Sequence, residues 1–192
     1  TSHQYVSAKV PEVLGRDPEG FRQVVLHLGN GASASAVVGG RAVETSMGLT
    51  PLEGLVMGTR GGDVDPGVLL HLARSADLDV AQLDHLLNHR SGMKGLSGQN
   101  DMREVHRLVA AGDPAARLAL EVYVHRLRKY VGAYAAVMGG LDALTFTAGV
   151  GENDAVVRAE TVAGLGFLGL SIDPELNSAR SAEPRVISPP DA

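Results

Sequence analysis

Residues 21–45 read FRQVVLHLGNGASASAVVGGRAVET, in which three short runs are separated by two glycine turns. Phe21–Leu28 is rich in β-branched and large apolar residues, and small residues alternate along Ala32–Val38. Arg41–Glu44 begins a third run. The Asn-Gly and Gly-Gly pairs between the runs are strong signals for short hairpin turns. The stretch therefore predicts a three-stranded antiparallel meander.

Helices are predicted after the meander, because apolar residues recur there at helical spacing. Asp65-Pro66 and Asp113-Pro114 are typical of helix N-termini. Glycine and serine in Ser91–Asn100 predict a loop. The first predicted helix has Pro66 at its first position and continues through Val68–Ser75, and the second is Asp79–Asn88 with Val80, Leu83, Leu86 and Leu87 on one side. A third follows the cap Asp101, with Val105, Leu108 and Val109 inward. A long fourth starts at Asp113-Pro114 and ends at Gly139-Gly140, with apolar positions Leu118, Val122, Leu127, Val131, Tyr134 and Met138.

A strand, a glycine turn and a helix come next, over Asp142–Thr147, Gly149–Asn153 and Asp154–Ala163. Arg185–Ser188 predicts the start of a further strand, which Pro189-Pro190 ends. Antiparallel strands, then helices, then a strand–turn–helix unit predict an α/β fold with a mixed sheet and helices packed on it.

The composition is that of a globular protein. Of 192 residues, 44% are hydrophobic and 20% charged, so one domain with a sizeable core is expected. The net charge is −5 and no lysine- or arginine-rich run occurs, which argues against nucleic acid as a partner. The chain has no cysteine, which excludes disulfides and thiolate chemistry and fits a cytoplasmic protein. No apolar run approaches the roughly 20 residues of a membrane span.

One arginine, Arg60, stands in a stretch that is otherwise small, polar or acidic. Glycines surround it and no hydrophobic period covers Thr59–Val64, so a loop is predicted. The planar guanidinium fork can bind two oxygens of one anion at once. Arg60 is therefore a candidate anion ligand, although a solvated loop arginine has the same pattern.

Two glycine turns follow predicted strands, at residues 29–33 and 149–153. The second leads into a predicted helix, and backbone N–H groups at such a junction converge in a way that suits phosphate. Neither is a Walker A loop, and Asp154 stands where a dinucleotide fingerprint has its third glycine. Simple chain reversal explains either turn alone. Two such turns in one domain favour a nucleotide cleft.

No metal site is predicted. Asp63 and Asp65 could form a carboxylate pair, but Asp65 fits a helix N-cap better and Asp63 is placed to position Arg60. His27 differs from the other histidines because it ends a strand at the first glycine turn. The histidines and tyrosines expected to be surface or packing residues of helices are His71, His85, His89, His106, His125, Tyr123, Tyr130 and Tyr134.

Five motifs occur in order and together resemble the acetate kinase family. They are HLGNGAS at residues 27–33, TSMGLTPLEG at 45–54, GTRGGDVDP at 58–66, GLSG at 95–98 and FTAGVGEN at 146–153. The opening residues TSHQYV are similar to the tail of that family's His-Gly-Thr-Ser-His motif. The likeness extends over nearly the whole chain.

The resemblance implies a ribonuclease H-like fold, the α/β ATPase fold of actin, Hsp70 and hexokinase, in which two similar domains close on a nucleotide. Residues 1–192 resemble most of the second, nucleotide-binding domain, with the first domain and the C-terminal end absent. The family's enzyme transfers the γ-phosphoryl group of ATP to acetate with Mg²⁺, giving acetyl phosphate and ADP reversibly. The resemblance also implies a cytoplasmic homodimer with no membrane or nucleic-acid partner.

By the same resemblance, Arg60 corresponds to the catalytic arginine that stabilises the transition state. The implied nucleotide-binding residues are the phosphate-side loop His27, Leu28, Gly29, Asn30 and Gly31, the adenosine segment Asp101, Met102 and Arg103, and the second loop Gly149, Val150, Gly151, Glu152 and Asn153. Metal ligands are implied mostly outside the chain, so none is assigned within it. Glycine-loop amides and an arginine suit phosphoryl transfer to a carboxylate, which brings two anions together.

Other catalytic groups of the family lie outside this sequence. The first histidine of His-Gly-Thr-Ser-His would precede Thr1, and the first domain's phosphate and metal loop and a C-terminal magnesium-binding glutamate are missing. The chain opens without methionine. We therefore expect a piece of a longer protein that is inactive alone. The alternatives are propionate kinase, which shares the motifs, and a non-catalytic nucleotide-binding module of the same fold, which has no need of Arg60.

Overall fold

The computed structural model describes residues 2–190. The strands are β1 (Arg22–Leu28), β2 (Ala32–Val38), β3 (Arg41–Thr45) and β4 (Ala143–Thr147). The α-helices are α1 (Ser2–Leu14), α2 (Pro66–Ser75), α3 (Val80–His89), α4 (Gly92–Ser97), α5 (Met102–Ala110), α6 (Pro114–Met138), α7 (Ala148–Asn153), α8 (Ala155–Ala163) and α9 (Pro174–Ser178). A short 3₁₀ helix covers Gly166–Leu168. The first of two compact units holds the described residues of 1–29, 33–46 and 124–192, and the second holds residues 30–32 and 47–123.

The sheet has the strand order β3-β2-β1-β4. β2 and β3 are antiparallel, and only three residues join β1 to β2, which is too short for a parallel crossover. The predicted meander is therefore confirmed. β4 lies parallel to β1, with Gln23 opposite Ala143 and His27 opposite Thr147. The sheet is thus mixed, and the carboxyl ends of β1 and β4 meet at the same edge.

Burial follows this strand order. Val24, Val25 and Leu26 of β1 are completely buried, as expected of a strand in the middle of a sheet covered on both faces. All five residues of β3 are exposed, and this strand forms the edge.

Helix α1 was not predicted, because it contains a proline in its interior. Pro11 has no N–H to donate to the carbonyl of Ser7, one turn earlier. The side-chain amide of Gln23, in β1, donates to that carbonyl instead at 2.8 Å. Ser7 and Gln23 are both buried, so this bond satisfies an acceptor that proline would otherwise leave without a partner. The same bond joins α1 to the sheet.

The aspartate caps confirm most helix starts. Asp65, Asp79 and Asp101 accept hydrogen bonds from the first turns of α2, α3 and α5. Asp113 accepts from Ala115 N and Ala116 N, each at 2.9 Å, at the start of α6.

Two apolar residues expected on buried faces are exposed. Leu118 is 56% exposed, because the buried stripe of α6 runs instead through Ala116, Ala119 and Leu120. Val80 is 84% exposed in the first turn of α3.

Three predicted segments are wrong. Ser91–Asn100 is not a loop throughout, because it contains helix α4. Gly149–Asn153 is not a tight turn but most of helix α7, and the chain reverses at Ala148, whose φ is 67°. Arg185–Ser188 forms no strand in the described chain; the carbonyl of Ile187 accepts from Asp173 N at 2.9 Å, just before α9. No described helix has the length and apolar character needed to span a membrane.

Candidate active site

Arg60 lies on a loop of the second unit, against the glycine turn that follows β1. Its Nη1 donates to the carbonyl of Pro51 at 2.6 Å. A β-carbon built on Gly31 would lie 2.9 Å from Nη2 of Arg60, so the guanidinium packs directly over that glycine. The backbone N–H of Gly58 donates to the carbonyl of Asn30 at 2.8 Å. The structure thus brings together the predicted catalytic arginine and two residues of the predicted phosphate loop.

Helix α4 supports the arginine loop. The N–H groups of Ser91, Met93 and Lys94 donate to the carbonyls of Thr59, Met57 and Gly58 at 3.0, 2.9 and 2.9 Å, respectively. These bonds form only because Gly92 allows close approach: its φ is 61°, and a β-carbon there would collide with the carbonyl of Met57. The backbone just before Arg60 is therefore held by a helix that the sequence pattern did not reveal.

The far end of the loop is closed by Asp63. Its carboxylate accepts from Gly54 N at 2.9 Å, and its own N–H donates to the Gly54 carbonyl at 3.0 Å. Gly62, with φ of 72°, packs against the carbonyls of Gly54 and Leu55. Asp65 accepts from Gly67 N at 2.9 Å, which confirms it as the N-cap of α2.

The predicted adenosine segment begins α5, also in the second unit. Asp101 caps the helix by accepting from Arg103 N, and its carboxylate pairs with the Arg103 guanidinium at 2.6 Å. The hydrogen bonds from Arg103 lower the pKa of Asp101 to about 2, so this carboxylate is ionised at neutral pH. Met102 is buried. Asn100, just before the segment, donates to Oδ1 of Asn30 at 3.4 Å, which brings the segment near the glycine turn.

His27 lies in the first unit, at the end of β1, beside a second histidine that the sequence analysis missed. The rings of His3 and His27 lie 5.8 Å apart and are tilted by 45°. His3 hydrogen-bonds to the hydroxyls of Ser33 and Ser35 at 2.8 and 2.7 Å. Burial lowers the pKa of His3, and the neighbouring His27 lowers it further. Nδ1 of His27 is buried without a hydrogen-bond partner among the described residues.

The sequence of β2 contains the two serines, Ser33 and Ser35, that hydrogen-bond to His3. Ser33 and Ser35 are two apart in a strand, so their side chains point to the same face of the sheet. A pair of hydroxyls on one face offers both nitrogens of a histidine a partner, but the sequence alone does not reveal which histidine reaches them.

The second glycine segment, also in the first unit, is helix α7. It starts at the sheet edge where His27 lies opposite Thr147. The Glu152 carboxylate folds back and accepts from Ala148 N at 3.0 Å and from Thr147 Oγ1 at 3.2 Å. A β-carbon on Gly151 would lie 3.2 Å from the carbonyl carbon of Phe146, whereas one on Gly149 would meet nothing within 4 Å. Gly151 is thus a packing glycine, and Gly149 leaves an open, exposed surface.

Among residues 2–190, no group of three or more histidine, aspartate or glutamate side chains is arranged to hold a metal ion.

The sequence profile of the Acetokinase family matches residues 1–192. An acetate kinase from Leifsonia xyli subsp. xyli is 62% identical over 188 residues, which cover 98% of this chain and 47% of that protein. One from Streptomyces griseus subsp. griseus is 62% identical over 189 residues, covering 98% of this chain and 46% of that protein. The chain therefore spans about half the length of the curated relatives it matches.

Solved structures agree with the sequence matches. The crystal structure of Porphyromonas gingivalis acetate kinase superposes with a TM-score of 0.96 at 45% identity and covers 100% of this chain and 48% of that one. A propionate kinase from Francisella tularensis gives a TM-score of 0.91 at 42% identity over the same shares. This likeness confirms the predicted α/β, ribonuclease H-like fold class. The chain belongs to the acetokinase family.

Proposed function

We propose that this chain is most of the nucleotide-binding second domain of an acetate kinase, which transfers the γ-phosphoryl group of ATP to acetate. The observation that carries the proposal is the position of Arg60 over Gly31, on a loop held from both sides. Glycine amides and a fixed guanidinium are the groups that phosphoryl transfer requires. A non-catalytic nucleotide-binding module with the same fold would use the glycine amides but would have no need of Arg60.

In the proposed reaction, a carboxylate oxygen of acetate attacks the γ-phosphorus in line with the bond to the β-phosphate oxygen. The new oxygen–phosphorus bond gives acetyl phosphate, and the broken bond releases ADP with the electron pair. No proton has to move, so the task of the protein is to bring two anions together and stabilise the transferring group. Arg60 suits this task because Nη1 is fixed on Pro51, while Nε and Nη2 form no hydrogen bond with the described residues and remain available for phosphoryl oxygens.

Residues 27–31 and residues 149–153 are proposed to contact the phosphates of the nucleotide through their backbone. In the second segment the contact is proposed at Gly149, which is exposed. Asp101, Met102 and Arg103 are proposed to contact the adenosine.

Mg²⁺ is a proposed cofactor together with ATP. The described residues provide no cluster of acidic side chains for it, so its ligands are proposed to lie elsewhere in the protein and no step is derived through the metal. A first domain that supplies further phosphate contacts, a cytoplasmic location and a homodimer are proposed from the family resemblance.

Propionate kinase is the second candidate. The TM-score of 0.91 to a propionate kinase supports it. A shared fold does not show whether a kinase prefers acetate or propionate as its substrate. The difference between acetate and propionate is one methylene, which a hydrophobic pocket discriminates only by about 10–200-fold.

The test is to trap acyl phosphate as the hydroxamate, using the full-length protein with ATP, Mg²⁺ and either acid. We expect turnover with both acids and a higher kcat/KM for acetate. Residues 1–192 alone are expected to give none, because the first domain is proposed to supply further phosphate contacts. A higher kcat/KM for propionate would replace the first proposal with the second, and no acyl phosphate from either acid would refute both.

A further inference from the structure

A buried arginine outside the predicted site, Arg158 of α8, ties the segment 149–153 to the C-terminal part of the chain. Arg158 is only 3% exposed. Its Nη1 donates to the carbonyls of Gly151 and Glu152 at 2.9 and 2.8 Å. Its Nε donates to Oδ1 of Asn177 at 2.7 Å, and its Nη2 donates to the carbonyl of Asn177, also at 2.7 Å. One guanidinium therefore fixes two separate segments.

The two carbonyls on the α7 side need such a partner. The last four carbonyls of a helix have no hydrogen-bond donor within the helix, and those of Gly151 and Glu152 belong to the last turn of α7. A cation is also favoured at this end, because the helix dipole makes it negative. Arg158 therefore acts as the C-terminal cap of α7.

Asn177 is itself fixed, so the arginine has a rigid partner. It is 5% exposed, and its side-chain amide donates to the carbonyl of Ala155 at 2.9 Å. Its backbone N–H donates to the carbonyl of Asp173, the residue that caps α9. We call Arg158 and Asn177 together the arginine–asparagine clamp.

Stability alone is a weak reason for this arrangement. All four acceptors of the guanidinium are neutral oxygens, and burial together with nearby Arg185 lowers the pKa of Arg158, while Asp154 acts in the opposite direction. A buried charge costs desolvation free energy, and packed apolar side chains are often as stabilising. The planar fork, in contrast, fixes several acceptors in one geometry.

We propose that Arg158 and Asn177 are positioning residues for the nucleotide, which hold the backbone of residues 149–153 where it receives the phosphates without touching the nucleotide themselves. The inference rests on the proposed function. Gly151 lies between this clamp and Phe146, so the segment is held on both sides. Loss of the arginine–asparagine clamp should therefore weaken ATP binding and leave acetate binding unaffected.

The test is the variant Arg158→Met in the full-length enzyme, with KM measured separately for ATP and acetate. Methionine keeps an apolar stem but removes the fork. We expect KM for ATP to rise at least about tenfold and KM for acetate to change less than about twofold, since small misplacements of a binding group have effects of this size.

Arg128→Met is the matched control. Arg128 is a partly buried arginine that donates to the carbonyls of Glu160 and Thr161, in the last turn of α8. It thus caps a helix in the same way, but away from residues 149–153, and its variant should lower the thermal midpoint without changing KM for ATP.

If Arg158→Met does not fold, Arg158→Lys and Asn177→Ala answer the same question, because each removes part of the clamp. A KM for ATP that stays at the wild-type value, or KM values that rise equally for both substrates, would overturn the inference. Failure of this inference can be told apart from failure of the proposed function. In the second case the wild-type protein itself would make no acyl phosphate.

Discussion

The guanidinium of Arg60 packs over Gly31, where a β-carbon would come within 2.9 Å of Nη2. The nearest atom to such a carbon is the far end of a flexible side chain and not the backbone, so a residue larger than glycine would move the arginine and leave the fold intact. The glycine turn and the arginine loop are also joined by the bond from Gly58 N to the Asn30 carbonyl. The position of the arginine and the shape of the turn are therefore coupled.

Gly31→Ala is expected to lower kcat at least about tenfold, because displacement of a catalytic group by a fraction of an ångström has effects of that order. The thermal midpoint should change little. Gly132→Ala serves as the control, since a β-carbon there meets nothing within 4 Å, and its kcat should equal that of the wild type. A Gly31→Ala enzyme with undiminished kcat would show that Arg60 is not held in place by this contact.

Gly92→Ala is expected to lower the free energy of unfolding by more than about 3 kcal/mol, because it combines a left-handed backbone with a backbone collision. The new β-carbon would lie 2.6 Å from the carbonyl oxygen of Arg60. Gly98, at the other end of α4, has φ of 78° but open surroundings, so Gly98→Ala should cost only about 1–2 kcal/mol. Urea unfolding of both variants measures the difference. Equal losses would mean that packing of α4 under the arginine loop contributes nothing.

Helix α4 shows why part of the site could not be predicted. Residues 91–98 are dominated by glycine and serine, which have low helix propensity. The helix forms because its N–H groups bond to carbonyls of residues 57–59, more than thirty positions away in the chain. The Arg158 bonds and the His3 bonds to Ser33 and Ser35 likewise join residues that no local pattern connects.

Local chemistry, in contrast, was predictable. The caps Asp65, Asp101 and Asp113 each act within three residues of their own position, and the meander follows from turn signals between adjacent strands. Arg60 was singled out by the composition of its loop. Its partners Gly31 and Pro51 became known only from the structure.

Gly149→Leu is expected to raise KM for ATP several-fold without lowering the thermal midpoint. A β-carbon at Gly149 meets nothing within 4 Å, so the side chain enters the space proposed for the nucleotide. Gly151 is unsuited to this test, because a side chain there would press on Phe146. Gly166→Leu, at another glycine with open surroundings, is the control. Unchanged KM for ATP in Gly149→Leu would remove α7 from the nucleotide site.

The lowered pKa of His3 makes stability depend on pH. Its folded-state pKa lies below the unfolded value, so the unfolded chain binds the proton more tightly and acidification favours unfolding. Stability is fully present above the unfolded pKa of about 6.5 and is lost as pH falls from there toward the folded pKa. Thermal unfolding measured from about pH 8 down to about pH 5, a range that includes the unfolded pKa of roughly 6.5, should show a smaller acid-induced decrease in His3→Gln than in the wild type. The same decrease in both proteins would contradict the prediction.

The most direct measurement of the central claim is the rate of acetyl phosphate formation from ATP and acetate by full-length wild-type protein and by Arg60→Lys. Lysine keeps the positive charge, but it lacks the planar fork that can bind two phosphoryl oxygens at once. The account predicts a kcat at least about a hundredfold lower for Arg60→Lys, because an arginine at the transferring group contributes about 10³–10⁵-fold to kcat in other phosphoryl-transfer enzymes. Near-wild-type turnover by Arg60→Lys would contradict it.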